Sequence, residues 1–355
     1  MILLKQNIQQ YGCFDMILIT IYCKYCFFAS NFIMDNSILI SNLTNPTLLF
    51  FILGVAAAML KSDLEVPPGS VKFISLYLLF SIGFRGGQEL AHEAFDLELF
   101  STLAFAMGMA VIIPVYSFFL LKRKLSIYDA GAVAATYGSV SAVTFISAAA
   151  FLDNLKIHYG GHTVAAMALM EAPAIIIGLL LIGRYAPHDP ENPTKGHIWK
   201  WVRESLTNGS VLMVMGSLII GLVADSKQAE GIKPFTSDIF KGFLAVFLLD
   251  MGMLAARRFK AFLSYGMFVT AFGLIIPLLN GLAAAWLSGV FGFEPGNRFM
   301  LSVLAASASY IAVPAAMRFA VPKADPGLYI PMALGVTFPF NITIGLPLYW
   351  AIIQG

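Results

Sequence analysis

The chain has 355 residues, of which 59% are hydrophobic and 12% charged, and its 22 basic and 20 acidic side chains leave a net charge of +2. An ordinary soluble domain is about 25% charged, so the composition excludes a soluble globular protein and a disordered one, and so small a net charge argues against a nucleic-acid partner. Mean hydropathy is +0.80, and the apolar residues come in long runs rather than alternating short segments, which points to an all-α integral membrane protein and not a β-barrel.

Residues 1–33 read as an N-terminal extension outside the fold. Lys5, Lys24 and Asn31 interrupt any span there, and Met34-Asp35-Asn36-Ser37 offers a fresh start. Cys13, Cys23 and Cys26 all lie in this segment. The C-x-x-C spacing of Cys23 and Cys26 has no second pair, so neither a thiolate metal site nor a disulfide framework is expected.

From there ten apolar runs follow, near 43–60, 71–90, 97–121, 130–152, 163–184, 209–225, 238–256, 261–290, 299–321 and 328–353. About 20 apolar residues cross the hydrocarbon layer; the first and sixth runs are both short. Motifs recur between the two halves in order. Leu43-Thr44-Asn45 matches Leu206-Thr207-Asn208, and Ile82-Gly83 matches Met251-Gly252. Ile112-Ile113-Pro114 matches Ile275-Ile276-Pro277, Ala134-Ala135-Thr136 matches Ala305-Ala306-Ser307, and Met167-Ala168-Leu169 matches Met332-Ala333-Leu334. The halves are residues 34–185 and 205–355, joined by a cytoplasmic linker at 186–204. Five spans per half is an odd number, so the second half enters the membrane from the opposite side, giving two inverted five-helix repeats. Lys122-Arg123-Lys124 and Arg257-Arg258 lie on the face richer in Lys and Arg. That face is expected in the cytoplasm of an inner (plasma) membrane, with both termini outside.

The fourth and ninth runs carry the chemistry. Thr136-Tyr137-Gly138-Ser139-Val140-Ser141-Ala142-Val143-Thr144 and Ser307-Ala308-Ser309-Tyr310-Ile311-Ala312-Val313-Pro314 are poor helix formers at mid-span. Two discontinuous helices are therefore expected. Each half-helix N-terminus carries about half a positive charge, so two such ends facing each other make an anion site without Lys or Arg, while freed carbonyls and hydroxyls suit Na⁺. Gly138, Ser139, Ser141, Ser307, Ser309 and Tyr310 are the candidate substrate residues; Thr144, Glu171, Ser307 and Asn341 are the candidate sodium ligands. Small residues at these positions also serve plain helix packing. In the second run, Gly86-Gly87 is a further candidate break, and Arg85 and Glu89 are spaced for an i,i+4 ion pair.

Enzyme chemistry is not expected. Gly138-Ser139-Val140-Ser141-Ala142 lacks the second Gly of a nucleophile elbow, the five histidines fall away from these serines, and no Walker A sequence is present. No cofactor or metal beyond sodium is implied.

Ile82-Gly83-Phe84-x-Gly86-Gly87, the stretch from Gly138 to Thr144, Glu171-Ala172-Pro173, Met251-Gly252-Met253, Ala305-Ala306-Ser307-Ala308-Ser309 and Ala324-Asp325-Pro326-Gly327-Leu328-Tyr329-Ile330 resemble the sodium-dependent bicarbonate transporters first known from cyanobacteria. The resemblance covers about residues 43–355. It implies a homotrimer, a core domain moving against a scaffold domain, Na⁺-coupled uptake of bicarbonate held between the two broken helices, and in some members a PII-like cytoplasmic regulator. It places Glu171 where the family has an Asp. Two departures stand out: Tyr310 replaces the Asp of the family's second break, and Ala142-Val143-Thr144 replaces Gly-Ser-Thr in the first. A sodium symporter for another small carboxylate, or a transport-inactive membrane sensor on the same fold, are the alternatives.

Overall fold

The computed structural model describes residues 44–92, 97–186, 203, 209–262 and 265–354. Residues 1–33, most of the linker at 186–204 and the Leu206-Thr207-Asn208 motif lie outside these. Among the described residues the chain is helical throughout, with no strand. Helices α1 (Pro46–Met59), α2 (Pro68–His92), α3 (Leu97–Leu121), α4 (Ile127–Gly138), α5 (Ala142–Leu155) and α6 (His162–Tyr185) come from the first half. Helices α7 (Gly209–Val223), α8 (Phe240–Phe262), α9 (Met267–Val290), α10 (Pro295–Ala306) and α11 (Ala312–Ala320) come from the second, closed by α12 (Pro326–Gln354). Among the described residues six segments are long and apolar enough to cross a membrane, counting α4 with α5 as one. The short α1 and α7, 14 and 15 residues, coincide with the two short runs of the sequence.

Two bodies are visible in the packing. In the first, α1 lies along α8 and α2 along α7, with α2 also against α8. Glycines set these crossings. A Cβ on Gly54 or Gly252 would strike backbone of the facing helix, at Leu249 and Phe51 respectively. Gly87 and Gly221 do the same for α2 and α7. Removing the side chain lets the backbones approach, the usual device of membrane helix pairs. This is the role of Gly87, and it corrects the expected break: α2 runs unbroken from Pro68 to His92. Gly86 likewise makes room for Val164 of α6.

In the second body, α3 packs on α4 and α6, α4 on α6, and α9 on α10 and α12. Here buried side chains dominate: α4 buries every residue from Ala130 to Gly138, and α10 buries nearly all of its length. Large apolar side chains face outward instead from α1, α3, α7 and α9, including Leu53, Ile112, Ile220 and Trp286. In water such a surface would drive aggregation; against lipid it is neutral.

Polar ties join the bodies at one end. Arg85 of α2 pairs with Asp153 of α5 at 3.4 Å, Glu89 with His158 at 3.3 Å, and Lys241 of α8 donates to Asn154 at 2.6 Å. Arg85 thus reaches across to α5 and not along its own helix to Glu89, because Asp153 offers both carboxylate oxygens to the guanidinium. At another loop cluster Tyr265 donates to Asp325 at 2.6 Å, while Asp129 accepts from the Asp325 N–H at 2.8 Å. Burial, then the hydrogen bond and negative charge of Asp325, push the Tyr265 phenol up to about 12.

Replacing Gly252 by Val should force α1 and α8 apart and cost about 1–3 kcal/mol. Its thermal midpoint in detergent should fall well below wild type, whereas Gly108→Ala, where an added Cβ meets nothing within 4 Å, should not lower it.

Candidate functional site

The fourth run breaks after Gly138 and resumes at Ala142; the ninth breaks after Ala306 and resumes at Ala312. The residue ending each first half is a serine in extended conformation, Ser139 at φ −85°, ψ 178° and Ser307 at φ −85°, ψ 169°. By these helix ends Ser139 corresponds to Ser307. The sequence match had set Thr136 against Ser307, because the Ala-Ala-hydroxyl triplet occurs three residues earlier in α4 than the helix end requires. Local chemistry accounts for the interruptions. Serine hydroxyls compete with helical bonding, and Gly138 lies under the Pro114 ring of α3, where a Cβ would clash.

The two breaks bond to each other. The Ser141 N–H donates to Ser307 Oγ at 3.0 Å, and the Ser309 N–H donates to the Thr136 carbonyl at 2.8 Å. Ser307 Oγ in turn donates to the Leu304 carbonyl at 2.9 Å. Asn341 closes the far side: its Nδ2 donates to the Ala306 carbonyl at 2.7 Å, and its Oδ1 accepts from Tyr349 at 3.1 Å. Thr337 bridges the Tyr137 hydroxyl at 2.7 Å and the Gly273 carbonyl at 2.7 Å. Asn341 and Thr337 both sit in π-helical turns of α12, Asn341–Gly345 and Ala333–Thr337. Such turns re-aim side chains inside a helix.

Both second halves present their N-termini here. Ser141 caps α5 by accepting from the Thr144 N–H at 3.1 Å, and Ser309 accepts from Val313 N–H of α11 at 3.4 Å. The first N–H groups of a helix have no partner inside it. Ala142 and Val143, the first residues of α5, are among those that line the pocket beside the breaks.

That pocket has room for about one or two water-sized groups. From the breaks come Ser141, Ser309 and Tyr310, and from α6 comes Glu171. From the other body α2 contributes Ser75, Leu78 and Leu79, and α8 contributes Phe247. The pocket therefore lies on the seam between the bodies. Of the candidate residues, Ser141, Ser309, Tyr310 and Glu171 line it together. Gly138, Ser139, Ser307, Thr144 and Asn341 are buried around the breaks but do not line it. Ser139 Oγ, Thr144 Oγ1 and Glu171 Oε2 have no hydrogen-bond partner. The contribution of α2 and α8 was missed from the sequence. Ser75 is a single hydroxyl in an apolar run, and nothing local separates it from a packing serine. Among the described residues no group of three His, Cys, Asp or Glu side chains is placed to hold a metal ion.

A family model for the Na⁺-dependent bicarbonate transporter superfamily matches residues 46–354. The chain belongs to that superfamily. As a member of that superfamily it is a membrane transporter and not an enzyme. Among curated proteins none matches the chain.

The bonding separates two kinds of serine. Ser307→Ala strands the buried Ser141 N–H and should cost about 1–3 kcal/mol of stability. Ser139→Ala removes a hydroxyl that bonds to nothing in the protein and should leave the thermal midpoint unchanged or raised. Paired melting curves of the two variants decide this.

Proposed function

We propose that this protein is a secondary active transporter that takes up bicarbonate together with Na⁺ across the cell inner membrane. The observation that carries the reading is the meeting of two helix N-termini, bonded break to break, at a pocket containing hydroxyls but no cationic side chain. A three-oxygen anion of charge −1 suits backbone N–H groups with Ser141, Ser309 and Tyr310 around them. Without a Lys or Arg it is held by partial charges, which permits release on the other side. Family membership supports the same substrate and coupling ion.

On this reading the chain crosses the membrane ten times in two inverted repeats. The reciprocal packing of α1 on α8 and of α2 on α7 is what such a duplication produces. The four-helix body serves as scaffold and the body holding the breaks as the moving core. Both termini lie outside the cytoplasm, and a homotrimer and a PII-like regulator are the expected partners. Thr144, Glu171, Ser307 and Asn341 are the proposed sodium environment. Glu171 is its pocket-facing member, whereas Ser307 and Asn341 also hold the second break in shape.

Radiolabelled bicarbonate uptake into proteoliposomes should require an inward Na⁺ gradient and stop when choline replaces Na⁺. Ser309→Ala should raise the KM about ten-fold, the loss of one charge-assisted hydrogen bond. Na⁺-driven uptake of a small carboxylate but not of bicarbonate would move the reading to the other symporter class, and a protein transporting no anion would be a sensor.

A further inference from the structure

The pocket and the Arg85–Asp153 ion pair lie on one line along the seam. On α2, Leu78 lines the pocket and Arg85 follows seven residues later. On α5, Ile146 lines the pocket and Asp153 also follows seven residues later. Seven residues make about two helical turns, so each pair shares a helix face and is about 10 Å apart along the axis. On α8, Phe247 lines the pocket and Lys241 stands six residues before it, donating to Asn154 beside Asp153. The ties therefore cross the same seam as the pocket, at one level beyond it. Beside them backbone closes on backbone: a Cβ on Gly161, just ahead of α6, would strike the Gly86 carbonyl of α2.

The ion pair is built to part. Its guanidinium and carboxylate side chains are 29% and 26% exposed, and they stand 3.4 Å apart. A tight charge-assisted bond is about 2.7–2.9 Å. Water screens a pair of this kind, so little free energy is lost when it opens. Its place in the membrane follows from α8. Lys241 begins that helix and Arg257 lies near its other end. With Arg257 on the cytoplasmic face, Lys241, Arg85 and Asp153 stand on the outer one.

We propose that Arg85 and Asp153 form the latch of the outer mouth: paired, they hold α5 against α2 and close the way from outside to the pocket. Parted, they open that way to water and to the anion. This rests on the functional reading above, which supplies the two bodies and the orientation, and adds the residues that keep one entrance shut. Lys241 with Asn154 and Glu89 with His158 flank the pair. Arg85 and Asp153 are the tie that shares its helix faces with the pocket lining on both α2 and α5.

The test is thiol labelling from one side of the membrane at a time, which needs neither Na⁺ nor bicarbonate. In the full-length chain with Cys13, Cys23 and Cys26 changed to Ser, Val143→Cys sets one thiol of similar size in the pocket wall. A membrane-impermeant methanethiosulfonate is added outside intact cells, and to the cytoplasmic face in inside-out vesicles. With the pair intact, labelling from outside should be slow. Asp153→Asn should speed it about two- to five-fold, the shift expected when one water-exposed ion pair is lost. Asp153→Arg, which sets two cations against each other, should speed it further. Adding Arg85→Asp to Asp153→Arg rebuilds the pair with its signs reversed and should return the rate toward the starting value. Labelling from the cytoplasmic face should not rise. If Val143→Cys fails to fold, Leu79→Cys on the facing wall takes its place. An outside rate that neither Asp153 variant changes overturns the proposal. So does a reversed pair that labels as fast as Asp153→Arg alone, because packing and not pairing would then hold the seam. A rate that rises only from the cytoplasmic face overturns the outer placement. A protein that shows the expected labelling but moves no bicarbonate overturns the substrate reading instead and leaves the latch standing.

Discussion

A backbone group inside a membrane has no water to bond, so an interrupted helix must find partners or cost several kcal/mol per orphaned group. Here the partners are mutual. Ser309 N–H meets the carbonyl of Thr136, and Ser141 N–H meets the hydroxyl of Ser307. The carbonyl of Ala306 is taken by Asn341. Neither break could stay open alone, because each supplies what the other lacks. The halves of the chain are therefore tied at their least regular points, and α4, α5, α10 and α11 share one rigid centre. The starts of α5 and α11 both lie beside the pocket, which Ala142, Val143 and Ile311 help to line.

The first body, of α1, α2, α7 and α8, is held differently. At Gly54 with Gly252, and at Gly87 with Gly221, backbone lies on backbone, so dispersion and close approach replace hydrogen bonds. The pocket falls where these two modes of packing meet, with Leu78, Leu79 and Phe247 on one side and the breaks on the other. An apolar wall thus faces a polar floor across the seam. The directional ties between the bodies, Arg85 with Asp153 and Lys241 with Asn154, are gathered at the ends of the helices, near water, where they can be exchanged at modest cost.

Much of this could be read in the sequence, for physical reasons. Apolar run length gave the helices, because lipid demands continuous hydrophobicity. Gly138-Ser139 and Ser307 marked the breaks, because small hydroxyl residues at mid-span are poor helix formers with an alternative bonding choice. Other features were hidden. Gly86-Gly87 looked like a third interruption, since sequence does not tell a glycine that bends a helix from one that admits a neighbour. Arg85 and Glu89 had i,i+4 spacing, yet Asp153, far away in the chain, was the better partner. The cross-break bonds and the role of Asn341 depend on which residues meet after folding, and spacing carries no such information.

The division of labour among the hydroxyls follows from this bonding. Ser307 is already spent as acceptor and donor, so using it for a substrate would loosen the junction of the two breaks. Ser141 is half spent, capping α5 while facing the cavity. Ser139 and Thr144 are wholly unspent but stand back from the cavity. A buried hydroxyl without a partner costs free energy. Ser139 and Thr144 are thus the hydroxyls whose removal takes no bond from the junction of the two breaks.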